Sequence, residues 1–253
     1  MKIVVIGGTG LIGRQLVTDL SDRGHEVVAA SPSTGVDSIS GAGLAEAFAG
    51  AEVVVDVSDP PSLDDEAVLS FFRTSATNIV ETARATGVAH LVALSVVGTD
   101  RLQASGYFRG KQAQETVIAG GSLLFTIVRA TQFFEFLSTI ADGYTSDGVT
   151  RLPTFALQPV AAADVAEALA EIATSEPSGG VIEIAGPERA PLAEFVGTWL
   201  GERDDPRAIV FDEGAGYFGA PADDHTLVPG ESARLLPTRF EAWLAAQLAA
   251  ERA

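Results

Sequence analysis

Three side chains in the first half of the chain have the types and spacing for proton transfer. Tyr107-Phe108-Arg109-Gly110-Lys111 is a Y-x-x-x-K pattern. On a helix, residues four apart share a face, so the phenol and the ammonium are expected to point into one site. A neighbouring ammonium favours the phenolate, which lets Tyr107 act as general acid toward a carbonyl, or as base toward an alcohol. Ser95 ends an apolar run upstream, and its hydroxyl is expected on the same oxygen as charge develops there. The chain has three tyrosines, and its lysines are Lys2 and Lys111 alone. A lysine four residues after a tyrosine then arises by accident in about 2% of such chains. The bland alternative is a packed tyrosine and a lysine that solvates an exposed helix.

A second constellation opens the chain. Ile3 to Ile6 is a continuous apolar run, as in a strand buried on both faces. It breaks at Gly7-Gly8, and from Leu11 the apolar residues Leu11, Ile12, Leu16 and Leu20 recur at helical steps. A strand that turns through glycines into a helix aims backbone N–H groups and the positive helix end at one spot, which suits a pyrophosphate. Gly8 to Gly13 fits G-x-G-x-x-G. Gly7 to Gly13 fits G-x-x-G-x-x-G, the spacing of extended and atypical short-chain dehydrogenase/reductases. Gly7, Thr9, Gly10, Leu11, Ile12 and Gly13 are therefore candidate cofactor contacts. The second strand, Glu26 to Ser31, ends in Ser31-Pro32-Ser33-Thr34, where an acid would signal NAD. Hydroxyls at Ser31 and Ser33 leave room for a 2′-phosphate, so NADP(H) is favoured and NAD(H) stays possible. The arginine usual at that spot is absent, and Arg14 is a speculative substitute.

The elements that must position these groups alternate strand and helix. The first helix runs to about Arg23 and ends at Gly24. A third, abbreviated segment spans Gly35 to Gly43, with a brief helix at Leu44 to Phe48. Ala51 to Val57 is read as the fourth strand, with Asp56 capping the loop that follows and Val57 on the cofactor side. Ser62 or Asp64 caps a long helix to Arg84, on which Asn78 is a packed polar residue. Ala89 to Ser95 is the fifth strand and Leu123 to Val128 the sixth. Asp164 caps a helix to about Ala173, Val181 to Ala185 is a late strand, residues 201–237 read as irregular loop, and Phe240 to Leu248 closes with a helix. The pattern predicts an α/β, Rossmann-type doubly wound parallel sheet with a small C-terminal substrate-binding region. It reads as a single domain over 1–253, with a core of about 1–185 and a substrate lid of about 186–253.

Composition bounds the partners. There are 34 acidic and 16 basic residues, a net charge of −18. That surface repels phosphate backbones, so no nucleic acid is expected, and an anionic cofactor must be held by local donors against the global field. The chain has no cysteine, and its three histidines lie far apart, so neither a disulfide nor a metal site is expected. No apolar run is long enough to span a membrane. These features predict a cytoplasmic protein, with a homo-oligomer as one possibility.

GGTGLIG at the start, LVALSVVG after the fifth strand, YFRGK on the next helix and QPVAAADVAEAL near residue 160 together resemble the atypical short-chain dehydrogenase/reductases, and the NmrA-like NAD(P)-binding branch most. The resemblance covers about residues 1–185. It implies a Rossmann fold with bound NAD(P)(H), and Ser95, Tyr107 and Lys111 as the catalytic triad. Lys111 also reaches the nicotinamide ribose, Arg129 to Phe133 (with Gln132) flank the nicotinamide, and Gln158-Pro159-Val160 line the far side. Val97, Phe133, Phe134 and Tyr217 are expected on the substrate, in an apolar pocket shared with Phe136, Tyr144, Phe155 and Phe218. The expected function is hydride transfer to or from a small carbonyl, alcohol or quinone, with Tyr107 as proton donor. Two alternatives carry their own predictions. A non-catalytic, NmrA-like cofactor sensor would be indifferent to Tyr107→Phe. A sugar-nucleotide epimerase or dehydratase would retain NAD tightly, although the C-terminal third offers few cations to clamp a diphosphate.

Overall fold

A computed structural model describes residues 1–252. In chain order the elements are β1 (Lys2–Ile6), α1 (Leu11–Asp22), β2 (Glu26–Ala30), α2 (Leu44–Phe48), β3 (Val53–Asp56), α3 (Asp65–Thr86), β4 (His90–Val96), α4 (Gly106–Gly120), β5 (Phe125–Ala130), α5 (Leu137–Gly143), β6 (Thr145–Ser146), β7 (Val149–Leu152), β8 (Ala156–Leu157), α6 (Ala162–Ala173), β9 (Gly180–Ala185), β10 (Ala190–Pro191), α7 (Leu192–Gly201), β11 (Ala208–Phe211), β12 (Arg234–Leu235) and α8 (Phe240–Glu251). The main sheet has seven strands in the order β12-β9-β5-β4-β3-β1-β2. The pairs β1–β2, β1–β3, β3–β4 and β9–β12 are parallel. The fold is the doubly wound, Rossmann-like α/β architecture that the strand–helix alternation predicts.

The described chain forms two compact units, residues 1–129 with 165–182, and residues 130–164 with 183–252. In the first, strands bury both faces. Val4, Ile6, Val54, Leu91 and Ile127 join Leu44 and Phe48 of α2, Ile79 of α3 and Ile118 of α4 in one core cluster. Ile3 and Val5, pointing the other way along β1, are just as fully buried. Helix α3 starts at Asp64, whose carboxylate accepts the Ala67 N–H at 3.1 Å, and stops at Gly87 with φ +79°. Asn78 donates to the carbonyls of Ser38 and Ile39, both at 2.9 Å, and so ties the segment before α2 to the helix. In the second unit, Phe134 packs against the Phe240 and Trp243 rings at 5.3 and 5.2 Å, and Phe195 meets Phe240 edge-on. Its smaller sheets are β11-β7-β6 and β10-β8.

Four details differ from the sequence reading. Residues 35–43 form no strand, so the expected fourth, fifth and sixth strands are β3, β4 and β5. Asp37 folds that segment back instead, accepting from the Ile39 N–H and the Ser40 hydroxyl at 2.8 Å each. Strand β5 begins at Phe125 and runs through Arg129 to Ala130. Asp164 does not cap α6. Glu135 supplies the carboxylate that receives the Ala162 N–H, at 3.1 and 3.2 Å, while Asp164 holds the N–H and hydroxyl of Thr238 at 2.8 and 2.7 Å. Residues 201–237 also contain β11 and β12, so the stretch is not wholly irregular; β11 pairs in parallel with β7.

Candidate functional site

The glycine turn has the geometry of an anion cradle. Gly7 has φ +80°, and the N–H groups of Gly7 and Gly8 both bond the Ala30 carbonyl. A Cβ on Gly13 would lie 2.1 Å from the Gly7 carbonyl oxygen, so α1 can approach the turn this closely only with glycine there. A Cβ on Gly10 would meet only that same oxygen, at 3.3 Å. The outer side of the turn is thus open. Thr9 and Gly10 are exposed, Leu11 is half-buried, and Ile12 and Gly13 pack inward. The first N–H groups of α1 face that open side without intrahelical partners. At the end of β2, the buried Ser31 hydroxyl lies 2.8 Å from that of exposed Ser33.

A polar network runs from the loop that packs on this turn to α4. The Val57 carbonyl and Ser58 lie 2.8–2.9 Å from where a Gly7 Cβ would sit. Asp56 accepts from Ser58 through its N–H (3.0 Å) and hydroxyl (2.6 Å), which makes it the loop cap expected. Its other oxygen accepts from Gln114 at 2.8 Å, and the Gln114 carbonyl accepts from Lys111 at 3.2 Å. Lys111 is buried; its ammonium also donates to the Leu94 carbonyl at 3.0 Å and sits 4.1 Å from the Phe72 ring centre. Burial lowers its pKa, against the opposing fields of Asp59, Asp56 and Glu115. The three N–H donors thus face two oxygen acceptors and the Phe72 ring.

Tyr107 and Lys111 do share a face of α4, and both touch Phe72; the Tyr107 ring meets it edge-on at 5.7 Å. The Tyr107 hydroxyl donates to Asp59 Oδ1 at 2.9 Å. Ser95 turns elsewhere. Its hydroxyl donates to Glu115 Oε1 at 2.5 Å and lies 3.3 Å from the Thr99 hydroxyl. Glu115 is gripped by Arg129 through Nε (2.9 Å) and Nη2 (2.7 Å), and Arg129 Nη1 lies 3.3 Å from Asp100. Glu115 raises the Arg129 pKa further, so this guanidinium stays charged. Its donors are therefore engaged inside the protein. Val97 has no exposed surface. Asp59, Gln114 and Glu115 were not legible as site residues. The last two sit three and four positions after Lys111 on the same helical face, a signal that was available; Asp59 carried none.

In the second unit, Gln132 is 7% exposed, and neither its amide nitrogen nor its amide oxygen has a hydrogen-bond partner. Buried amides are ordinarily paired, so this one is free to read a ligand. Phe133 bridges to Val160 and stacks on Phe136 at 5.5 Å. Phe134 is fully buried. The Gln158 amide bonds the Gly186 carbonyl. Tyr217 pairs with Ala220 and packs edge-on to Phe155 and Phe218.

Fold and glycine turn together define a dinucleotide-binding protein of the doubly wound α/β class. The chain belongs to the NAD(P)H-binding family, whose model matches residues 7–176. It is 30% identical over 210 residues to a (4-alkanoyl-5-oxo-2,5-dihydrofuran-3-yl)methyl phosphate reductase of Streptomyces griseus, an alignment covering 76% of this chain and 70% of that one. It is also 30% identical over 248 residues to the chloroplastic divinyl chlorophyllide a 8-vinyl-reductase of Oryza sativa subsp. indica, covering 82% of this chain and 60% of that one. Solved structures share the fold. The quinone oxidoreductase QOR2 of Escherichia coli, complexed with NADPH, superposes with TM-score 0.72 at 16% identity, over 97% of this chain and 99% of that one. MoeE5 in complex with UDP-glucose and NAD gives 0.78 at 18% identity, over 100% and 99%. Among the described residues, no helix is long and apolar enough to cross a membrane.

Proposed function

We propose that this protein is an NAD(P)H-dependent reductase of the short-chain dehydrogenase/reductase type, acting on a small carbonyl or quinone, or in reverse on the alcohol. The observation that carries this reading is Lys111. A buried ammonium lies on the same helical face as a tyrosine hydroxyl, and hydrogen bonds through Gln114 and Asp56 join it to the loop that packs on the glycine turn. The N–H groups of residues 11–13 would hold the pyrophosphate, Ser31 and Ser33 the adenine ribose, and Lys111 the nicotinamide ribose, with Val57 alongside. NADP(H) is the favoured cofactor, because the stretch that ends the second strand, Ser31-Pro32-Ser33-Thr34, carries no carboxylate. When bound, the reduced nicotinamide supplies a hydride.

The chain's own residues handle the proton. Tyr107 donates its hydroxyl proton to the substrate oxygen, and the Lys111 charge stabilises the phenolate that remains. Ser95 has its hydrogen on Glu115 and is turned away from the Tyr107 hydroxyl, so the oxyanion-donor role that its position suggests is not assigned to it. That two relatives are named as reductases supports the direction of reaction.

The test pairs NADPH or NADH with a panel of aldehydes, ketones and quinones, and follows loss of nicotinamide absorbance. Tyr107→Phe is expected to lower kcat about 100-fold or more while the cofactor Kd holds. An unchanged kcat removes Tyr107 as the donor. Ser33→Asp, which places a carboxylate where a 2′-phosphate would lie, is expected to shift the preference toward NADH. NADPH binding that is untouched by this change contradicts the assignment of the ribose site.

A further inference from the structure

The proton that Tyr107 gives away must be replaced, and the two polar groups beside it differ in their access to water. Lys111 is 4% exposed, its ammonium enclosed by the Leu94 carbonyl, Gln114 and the Phe72 ring. A proton cannot reach bulk water readily through it. Asp59 is the opposite case. It lies on the loop between β3 and α3, is exposed, and receives the Tyr107 hydroxyl at 2.9 Å. The groups of α4 that act on it are Tyr107 and Lys111; both lower its pKa, and desolvation by the surrounding protein outweighs them and raises it.

We propose that Asp59 is the proton relay of Tyr107, taking protons from solvent and passing them to the phenolate after each turnover. The proposal rests on the reductase reading above. In the reduction, the carbonyl carbon receives a hydride and its oxygen receives the Tyr107 proton, giving the alcohol and the oxidised cofactor. The O–H bond of protonated Asp59 then breaks as the phenol O–H re-forms. The carboxylate regains its proton from hydronium or a buffer acid, so the cycle takes up one proton from solution per carbonyl reduced. With Asp59 protonated, the same 2.9 Å contact runs in the opposite direction, Asp59 donating to the phenol oxygen, which leaves the single phenol hydrogen for the substrate.

Asp59→Asn is the informative variant, because the amide oxygen still accepts the Tyr107 hydroxyl while the side chain can no longer take up and release a proton. With NADPH and 4-nitrobenzaldehyde in dilute buffer, kcat is expected to fall about tenfold or more, with NADPH Kd and substrate KM little changed. Added imidazolium or acetic acid should restore the rate in proportion to its concentration, and Asp59→Glu should retain most of it. Tyr107→Phe should be slow and unresponsive to added acid. A wild-type kcat in Asp59→Asn, or a slow variant that no acid restores, overturns the relay. If Tyr107→Phe runs at full rate, the proton-donor reading beneath it has failed instead. A substrate-free measurement stands beside these. In an absorbance titration near 295 nm, the tyrosine ionisation lost in Tyr107→Phe should move to lower pH in Asp59→Asn. Burial pushes Tyr144 up to about 12 and Tyr217 further, and subtracting the Tyr107→Phe titration from the wild type isolates the ionisation of Tyr107 itself. A midpoint that stays where it is overturns the contact and the relay with it.

Discussion

A methyl group on Gly13 would sit 2.1 Å from the Gly7 carbonyl, so Gly13→Ala forces α1 away from the turn that it closes. Overpacking of this kind costs about 1–3 kcal/mol, and the displaced N–H groups no longer converge. Gly13→Ala is expected to lower the urea midpoint and to abolish NADPH binding, followed by the quenching of protein fluorescence. Binding that survives with wild-type Kd would show that the turn is not the pyrophosphate site. The same scale separates what could be foreseen from what could not. The glycines were legible because only glycine meets the demand at those positions. So was the pair Tyr107 and Lys111, since helix periodicity places both on one face. The partners of Ser95 and Tyr107 were not legible, because Glu115 and Asp59 reach them through tertiary packing across 20 and 48 positions of sequence.

At the scale of elements, His90 at the start of β4 carries a testable pH dependence. It is buried, its Nε2 lies 3.0 Å from the Thr126 hydroxyl, and Nδ1 has no partner. Desolvation lowers its pKa, with Glu176 opposing. A lowered folded pKa means that the unfolded chain binds the proton first as pH falls. The stability is therefore fully present above the unfolded value of about 6.5 and is lost from there down through the folded pKa, at up to about 1.4 kcal/mol per pH unit. Urea midpoints measured between about pH 7.5 and pH 5 should fall, and the decline should be shallower in His90→Asn. Equal slopes in the two proteins would remove His90 as the source. In the second unit, Asp164→Ala should cost about 1–3 kcal/mol, since the Thr238 N–H and hydroxyl lose their acceptor. Thermal denaturation reads the loss, and an unchanged Tm would show that solvent replaces the carboxylate.

At the scale of the whole molecule, the net charge of −18 sets a field that an anionic cofactor must cross. Local donors at the glycine turn act over a few ångströms, whereas the excess of acidic groups acts over the Debye length, about 10 Å at 0.1 M salt. Raising NaCl should accordingly speed NADPH association, about twofold or more, in stopped-flow fluorescence. An association rate that falls with salt would mean that the entrance to the site is locally positive despite the composition.

Sequence alone determined the parts of this protein that rest on local rules. The apolar run of β1, its break into glycines, the capped helix from Asp64 to Gly87 and the i, i+4 pair of α4 each follow from neighbours in the chain, and each lies where those rules put it. The segment over 35–43 shows the limit of such rules. Its short apolar step at Val36 has no parallel partner, and the side chain of Asp37, held by Ile39 and Ser40, turns the chain instead. Tertiary structure alone decided where hydroxyl protons point. Ser95 is drawn to a carboxylate that Arg129 holds in place, and Tyr107 to a carboxylate on the loop between β3 and α3. The physical reason is that hydrogen bonds of buried or crowded polar groups are settled by whatever packing brings within about 3 Å, a distance with no counterpart in sequence separation.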